Sequence, residues 1–541
     1  MRARVLPVGA AALLVEVAET HAAVRLRAAL AEHLVPGAGP WGLVDHLVVG
    51  ARTVLVVLRG PGRADEVGRA CLSVAEALPD PADEGDGGDA PPPGARVVEV
   101  PVRYDGPDLD DVARLTGLTR EEVVRAHTGA TWRVGFGGFA PGFAYLVGGD
   151  ERLRVPRRAD PRPRVPAGSV ALAGEFAGIY PHDSPGGWQL LGSTSLAVWD
   201  ERRDPPALLA PGDVVRFVEE THPRAPVEAA GARATGSRVS STGRTADRAM
   251  PRGVEVLATG PLTLVQDLGR PGLADAGVGR SGAADPAAYL LGLRLLGHRS
   301  GPGDAHPASL EVTLGGLSVR ARGHLLVALT GAPCPATVDG RPVPHAAPVV
   351  LADGQVLTLG APRAGLRTWL AVRGGIAVDP VLGSRSTDTL ARLGPPVPAV
   401  GDVLPVGPPP RALPHVDVAP HRALTDDDVV LDLLPGPRAG WCDLDDLVAE
   451  ARAVSSRSNR VGIRLEGKQI RWTSRYADRE LPSEGLVPGA VQVPPGGEPV
   501  LFLADHPVTG GYPVVAVVTP ASLPVAAQLR PGQRVRLRLV R

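Results

Sequence analysis

Residues Gly135–Leu146 read GFGGFAPGFAYL and carry three of the chain's six phenylalanines, together with Tyr145, Pro141 and four glycines. Aromatic residues make up only 4% of the chain, so four rings on so glycine-rich a segment imply a tightly folded backbone held against something flat or polar. Two roles are open to it: the wall of a ligand pocket, or a barrel corner where glycines allow the bend and rings fill the core. His127 stands shortly before it and has the titration range of a general acid or base, although a helix-end histidine also serves as a structural cap.

Two nucleotide-binding spellings occur and neither carries its chemistry. Gly462, Gly467 and Lys468 spell GxxxxGK, but Gln469 stands where a Ser or Thr must hold magnesium. Val461, Ile463 and Leu465 alternate with small or polar residues, which is the pattern of a strand. Gly277, Gly279 and Gly282 spell GxGxxG without a preceding buried strand or an acidic ribose partner. What survives is Ser281 and Gly282 near a helix start, where free backbone N–H groups can bind an anion.

The elements that must position these groups are mainly β. Residues 1–98 alternate strand-like runs (13–17, 54–58) with helix-like ones (22–34, 64–78), predicting a small α+β domain that an acidic Gly/Pro loop, 80–94, closes. Thr119 three residues before Glu122 predicts a capping box and a short helix with His127 in its last turn. Residues 99–220 then read as a barrel, 221–253 as a flexible linker without aromatics, and 254–410 and 411–541 as two further barrels. GGW at Gly186 precedes PGDVVRF much as GGY at Gly510 precedes PGQRVRL, a weak repeat that suggests related barrels ending each half.

Composition narrows the function classes. At 541 residues the chain needs several cores. A net charge of -1 gives no electrostatic case for nucleic acid or a membrane surface. Cys71, Cys334 and Cys442 are too scattered for a disulfide framework or a zinc site, which fits the cytoplasm, and no metal site is readable. The opening MRARVLPVGAAALLV is interrupted by Pro7 and Gly9 and is expected to be a first strand rather than a signal peptide.

GFAPGFAYL, VPRRADPRPRVPAGSVALAG and PHDSPGGWQLLG resemble the B subunit of bacterial ATP-dependent 5-oxoprolinase, also called allophanate hydrolase subunit 1, from about Tyr104 to Phe217. VQDLGRPG, GVGRSGAAD, ASLEVTLGG, VRGGI, LGSRST, SNRVGIRL, VQVPPGG and TGGYP resemble the C subunit of the same enzyme, also called allophanate hydrolase subunit 2. The resemblance implies a mainly β fold with α+β: a small N-terminal α+β domain followed by three cyclophilin-like β-barrels, one in the B half and two in the C half. It implies ATP-driven opening of 5-oxoproline to glutamate with a separate A subunit, with ATP and Mg2+ as co-substrate, no tightly bound cofactor and an oligomeric assembly. The same modules form the carboxyltransferase region of urea carboxylase, the alternative activity, and relatives regulate a histidine kinase. Lys468, the only lysine, lacks the methionine neighbours of a biotin attachment site.

Activating a lactam by phosphorylating its oxygen requires a grip on the carboxylate, support for the phosphates and exclusion of loose water. Arginine forks suit the first two tasks, and the matched segments offer Arg157, Arg158, Arg162 and Arg164, then Arg270, Arg385, Arg460 and Arg464. The expected catalytic groups are His127, Asp267, Asp285 and Glu311, the three carboxylates having loop-backbone hydrogen bonding as their competing role. Gly383–Ser386 offers a candidate anion nest through Ser384, Arg385 and Ser386. Further expected contacts are Ser169, Gly186, Gly187 and Trp188 in the B half, and Ser281, Gly282, Asn459, Gln492, Thr509, Gly510, Gly511 and Tyr512 in the C half. With these neighbours the glycine-aromatic run is read as one wall of a substrate pocket: Phe139, Phe143 and Tyr145 form its dry face, and Pro141 and Gly142 set the turn.

Overall fold

A computed structural model describes residues 1–34, 39–79, 96–220, 252–299, 306–477 and 479–540. The expected acidic loop, 80–94, and all but the last two residues of the expected linker, 221–253, lie outside them. The fold is mainly β with few helices, as the sequence pattern indicated.

The N-terminal unit is a four-stranded antiparallel sheet in the order Arg4–Pro7, Ala12–Glu16, Thr53–Leu58, Val44–Val49. Helices Thr20–Glu32 and Ala64–Ala77 cover one face. Strand side chains alternate between faces: Leu13 and Val15 join the helix-side core, whereas Ala12 and Leu14 pack against Leu486, Ala490 and Phe502 of the last barrel. Burial on both faces explains why Ala12–Val15 reads as a continuous apolar run.

The B-half barrel is a seven-stranded sheet ordered Gln189–Ser193, Ser169–Ala173, Phe176–Ile179, Ala144–Val147, Trp132–Gly137, Val214–Glu219, Val97–Val102. It is nearly closed by the Arg103–Ser193 bridge, with paired N–H···O bonds of 2.8 and 2.9 Å. Helices Leu109–Thr116 and Arg120–Gly129 pack on it. The second helix starts at the expected capping box of Thr119 and Glu122.

The C half opens with two facing sheets, of six and five strands, joined where Ile376 bridges Ala308 and Val406. It ends in a closed seven-stranded barrel running Val429–Pro435, Val514–Val518, Ala490–Gln492, Val500–Phe502, Gly462–Glu466, Arg452–Val454, Arg534–Leu539. Gly462–Glu466, inside the GxxxxGK spelling, is indeed a strand. The sequence repeat has a structural counterpart. Val214–Glu219, from PGDVVRF, pairs parallel with its barrel's first strand, and Arg534–Leu539, from PGQRVRL, does the same in the last barrel.

Candidate functional site

The glycine-aromatic run is where the two halves meet. A Cβ on Gly137 would collide with the Asp275 carbonyl oxygen, one on Gly138 with the Thr509 side chain, and one on Gly277 with the Ala140 carbonyl. The Gly142 N–H donates to the Ala276 carbonyl at 2.8 Å, which ties the run's turn to the C half. Glycine is needed here for close approach between backbones. Phe139 adopts φ 63° at the tip and remains partly exposed, whereas Phe143 and Tyr145 are buried in the core with Tyr180 and Trp188. Phe143 and Tyr145 thus take the core-filling role, while the Phe139 ring stays at the surface of the segment.

A cavity of about 720 Å³ opens at this junction. Phe139–Pro141 and His182–Pro185 line it from the B half, Arg367 and Asp388–Arg392 from the facing sheets, and Ser458–Val461 and His506–Val508 from the last barrel. Its floor is an ion network. Arg460 donates from Nε and Nη2 to both Asp505 oxygens at 3.0 Å and from Nη1 to Glu311, which also faces Arg367 Nε at 3.3 Å. Asp505 further accepts the Ser281 hydroxyl at 2.7 Å and the Thr389 N–H and hydroxyl at 3.0 and 2.7 Å. Burial opposes charge on Arg460, yet Asp505 and Glu311 hold its guanidinium above its usual basicity. The opposite balance appears at Asp388. Burial, then the like charge of Asp505, pushes its carboxyl up to about 6, although the Leu390 and Ala391 N–H groups bond its Oδ1.

Of the sequence-selected residues, Phe139, Pro141, Asn459 and Arg460 reach the cavity, and Ser281, Gly282 and Glu311 support it through Asp505 and Arg460. The other carboxylates take the competing structural role. Asp267 receives the Gly269 and Arg385 N–H groups and the Ser384 and Ser386 hydroxyls, so the anion held by the Gly383–Ser386 loop is the chain's own carboxylate. Asp285 caps its helix through the Ala288 N–H and accepts from Gln528. Gly282 turns its carbonyl to Arg460. Arg270 is buried and bonds the Ser386 carbonyl.

His127 is placed away from the cavity. It is fully buried, stacks on Phe217 at 4.2 Å and bonds the Tyr104 hydroxyl at 2.7 Å. Burial pushes its pKa down to about 3, which favours the neutral imidazole, and it is not among the residues that line the cavity. Arg158 and Arg162 are bound to buried Asp108, while Arg157 is exposed. Arg164 pairs with Asp183 at the cavity rim, and Arg464 lies 3.7 Å from Glu498. Ser169 bonds the Pro166 carbonyl, Arg385 the Val378 carbonyl and Gln492 the Tyr512 carbonyl. Gly186 and Thr509–Gly510 lie in two-stranded flaps, Gly187 adjoins Pro161, Gly511 adjoins Leu481, and Tyr512 is exposed. His182, Asp388, Arg392 and His506 also line the cavity and Asp505 anchors its floor, none of them among the residues expected from the sequence to do chemistry. A signal for the histidines was present, since His182 and His506 each stand four residues before a GG-aromatic triplet.

Comparison with known proteins places this junction in a family. Residues 3–209 match the carboxyltransferase domain, subdomain C and D, and residues 276–539 match the carboxyltransferase domain, subdomain A and B. The C half is 37% identical to the C subunit of 5-oxoprolinase from Escherichia coli over 286 residues, 52% of this chain and 89% of that protein. The chain belongs to the carboxyltransferase-domain family. Within that family its B half is 49% identical to the B subunit of 5-oxoprolinase from Bacillus subtilis over 126 residues, 23% of this chain and 52% of that protein. Urea amidolyase of Saccharomyces cerevisiae is 30% identical over 53% of this chain, a match that spans 16% of that longer protein. A crystal structure of the protein TTHA0988 superposes with a TM-score of 0.80 at 34% identity, covering 97% of this chain and 99% of that one. The order of the two carboxyltransferase matches fits a fusion of the B and C subunits in one protein.

Proposed function

We propose that this chain is the B and C component of an ATP-dependent 5-oxoprolinase, which opens 5-oxo-L-proline to L-glutamate together with a separate A subunit. The observation that carries the reading is the composite cavity: residues of the B-like and C-like halves line one space, which gives fusion of the two a physical purpose.

Chemically, transfer of the ATP γ-phosphoryl group to the lactam oxygen releases ADP and makes the ring carbon electrophilic. Water then adds to that carbon, the ring C–N bond breaks with a proton passing to the departing nitrogen to give the free amine of γ-glutamyl phosphate, and a second water hydrolyses this acyl phosphate to glutamate and phosphate. In this reading Asp388 is the group that takes and returns a proton, since it lines the cavity and burial together with Asp505 pushes its carboxyl up to about 6. Phe139 and Pro141 form the dry wall that keeps loose water away. The Arg460–Asp505–Glu311 network holds the floor rigid. Among the described residues no group of three or more His, Cys, Asp or Glu is placed to hold a metal ion, so magnesium would enter on the nucleotide phosphates.

The urea-type alternative has the urea amidolyase relative in its favour. Mixing the chain with its cognate A subunit, then measuring 5-oxoproline-dependent ADP release and glutamate, decides between them. Turnover is expected. Its absence, alongside carboxyl transfer to urea from a carboxybiotin carrier, overturns the reading in favour of the alternative.

A further inference from the structure

Two groups at the mouth of the composite cavity are uncommitted. Arg392 lines the cavity, is exposed, and makes no ion pair or hydrogen bond among the described residues. Its backbone is left-handed, φ 55°, a conformation that a long cationic side chain adopts only when its surroundings impose it. Asp388 imposes it: its Oδ1 accepts the Leu390 and Ala391 N–H groups at 2.9 Å, and its own N–H donates to the Leu393 carbonyl at 2.8 Å, so the turn is pinned on both sides of Arg392.

From the B half, His182 lines the same cavity without a hydrogen bond or ion pair among the described residues. Both residues line this one cavity, His182 from the B half and Arg392 from the C half, and after burial the charge of Arg392 lowers the imidazole's basicity against the opposing charge of Asp183. Neighbouring groups are already engaged. Asp183 holds Arg164 and the Ala167 N–H, while Arg460 and Arg367 face Glu311 and Asp505. An anion entering the cavity therefore meets Arg392 and His182 as its free partners.

We propose that Arg392 and His182 form an oxyanion subsite spanning the two halves, which grips a carboxylate or phosphate group of the cavity's ligand. A guanidinium supplies two parallel N–H donors to such a group and the imidazole a third. Only the ligand's identity rests on the 5-oxoprolinase reading.

The test is calorimetric titration of the full chain with its A subunit, using 5-oxo-L-proline, 2-pyrrolidinone (the same lactam without its carboxylate) and ATP. Arg392→Gly removes the guanidinium while suiting the left-handed turn, so the fold is kept. For a bound carboxylate, Arg392→Gly weakens 5-oxoproline binding about ten-fold or more and leaves 2-pyrrolidinone unchanged, with His182→Asn weakening it less. For a bound phosphate, the same loss appears for ATP instead. Equal affinities of variant and parent for all three ligands overturn the subsite. If the parent binds no 5-oxoproline yet Arg392→Gly loses ATP, the subsite stands and the 5-oxoprolinase reading falls.

Discussion

The B-half barrel and the last barrel are two versions of one design facing each other across the cavity. Each closes by pairing its final strand parallel to its first. Each carries a two-stranded flap, Ser184–Gly186 with Arg162–Val165 in one and Thr509–Gly510 with Glu484–Gly485 in the other, and the later strand of each flap follows a histidine that lines the cavity. They differ in how that histidine is held. His506 is buried, its Nδ1 lies 2.8 Å from the Pro507 carbonyl, and it follows Asp505 in the Arg460 network. His182 is half-buried and has no hydrogen-bond partner among the described residues. One barrel supplies a fixed floor, the other an uncommitted group.

The largest effect should come from breaking the fixed side. Arg460→Leu leaves Asp505 and Glu311 buried without their shared cation and should cost about 3–5 kcal/mol in denaturant unfolding. A cost near zero would mean that the floor is not held by this network. Next, Gly137→Ala forces a methyl group against the Asp275 carbonyl and should cost roughly 1–3 kcal/mol. Limited proteolysis should then report parting of the two halves before either barrel melts.

A smaller contrast lies in the histidines themselves. His506→Ala should lower stability by about 1–2 kcal/mol, and His182→Ala by less than about 0.5 kcal/mol; thermal melts showing the reverse order would break the comparison. A pH-dependent contrast concerns Asp388, whose carboxyl is raised to about 6 by burial and by Asp505. A carboxyl raised in the folded state stabilises the fold below its unfolded pKa, and that contribution fades as pH rises through the folded value. Relative to Asp388→Asn, the parent protein should therefore lose on the order of 1 kcal/mol between about pH 4 and pH 6. Parallel stability curves for the two would show that Asp388 does not titrate in this range.

How much of this was legible depended on the distance over which each feature is decided. The capping box of Thr119 and Glu122, the strand at Gly462–Glu466 and the helix Pro286–Leu295 follow from neighbours within a few residues. Asp267 and the Gly383–Ser386 loop are each chemically able by residue type, but their contacts span more than 100 residues of chain. Seen separately, they looked like a catalytic acid and an anion nest; together they satisfy each other. His127 misled for a related reason, since its position in the last helical turn is local while its burial against Phe217 and Tyr104 is not.

Residue types and short spacings alone determined the mainly β character, the related closing strands of the two barrels and the glycine-aromatic segment, because hydrophobic period, capping and glycine content act between near neighbours. Tertiary structure decided which face of that segment meets the other half, which carboxylates are engaged by backbone donors, and which cations remain free at the cavity. Burial and pairing depend on what the distant chain brings to each side chain, and a charge becomes available for a ligand only when no internal partner has claimed it.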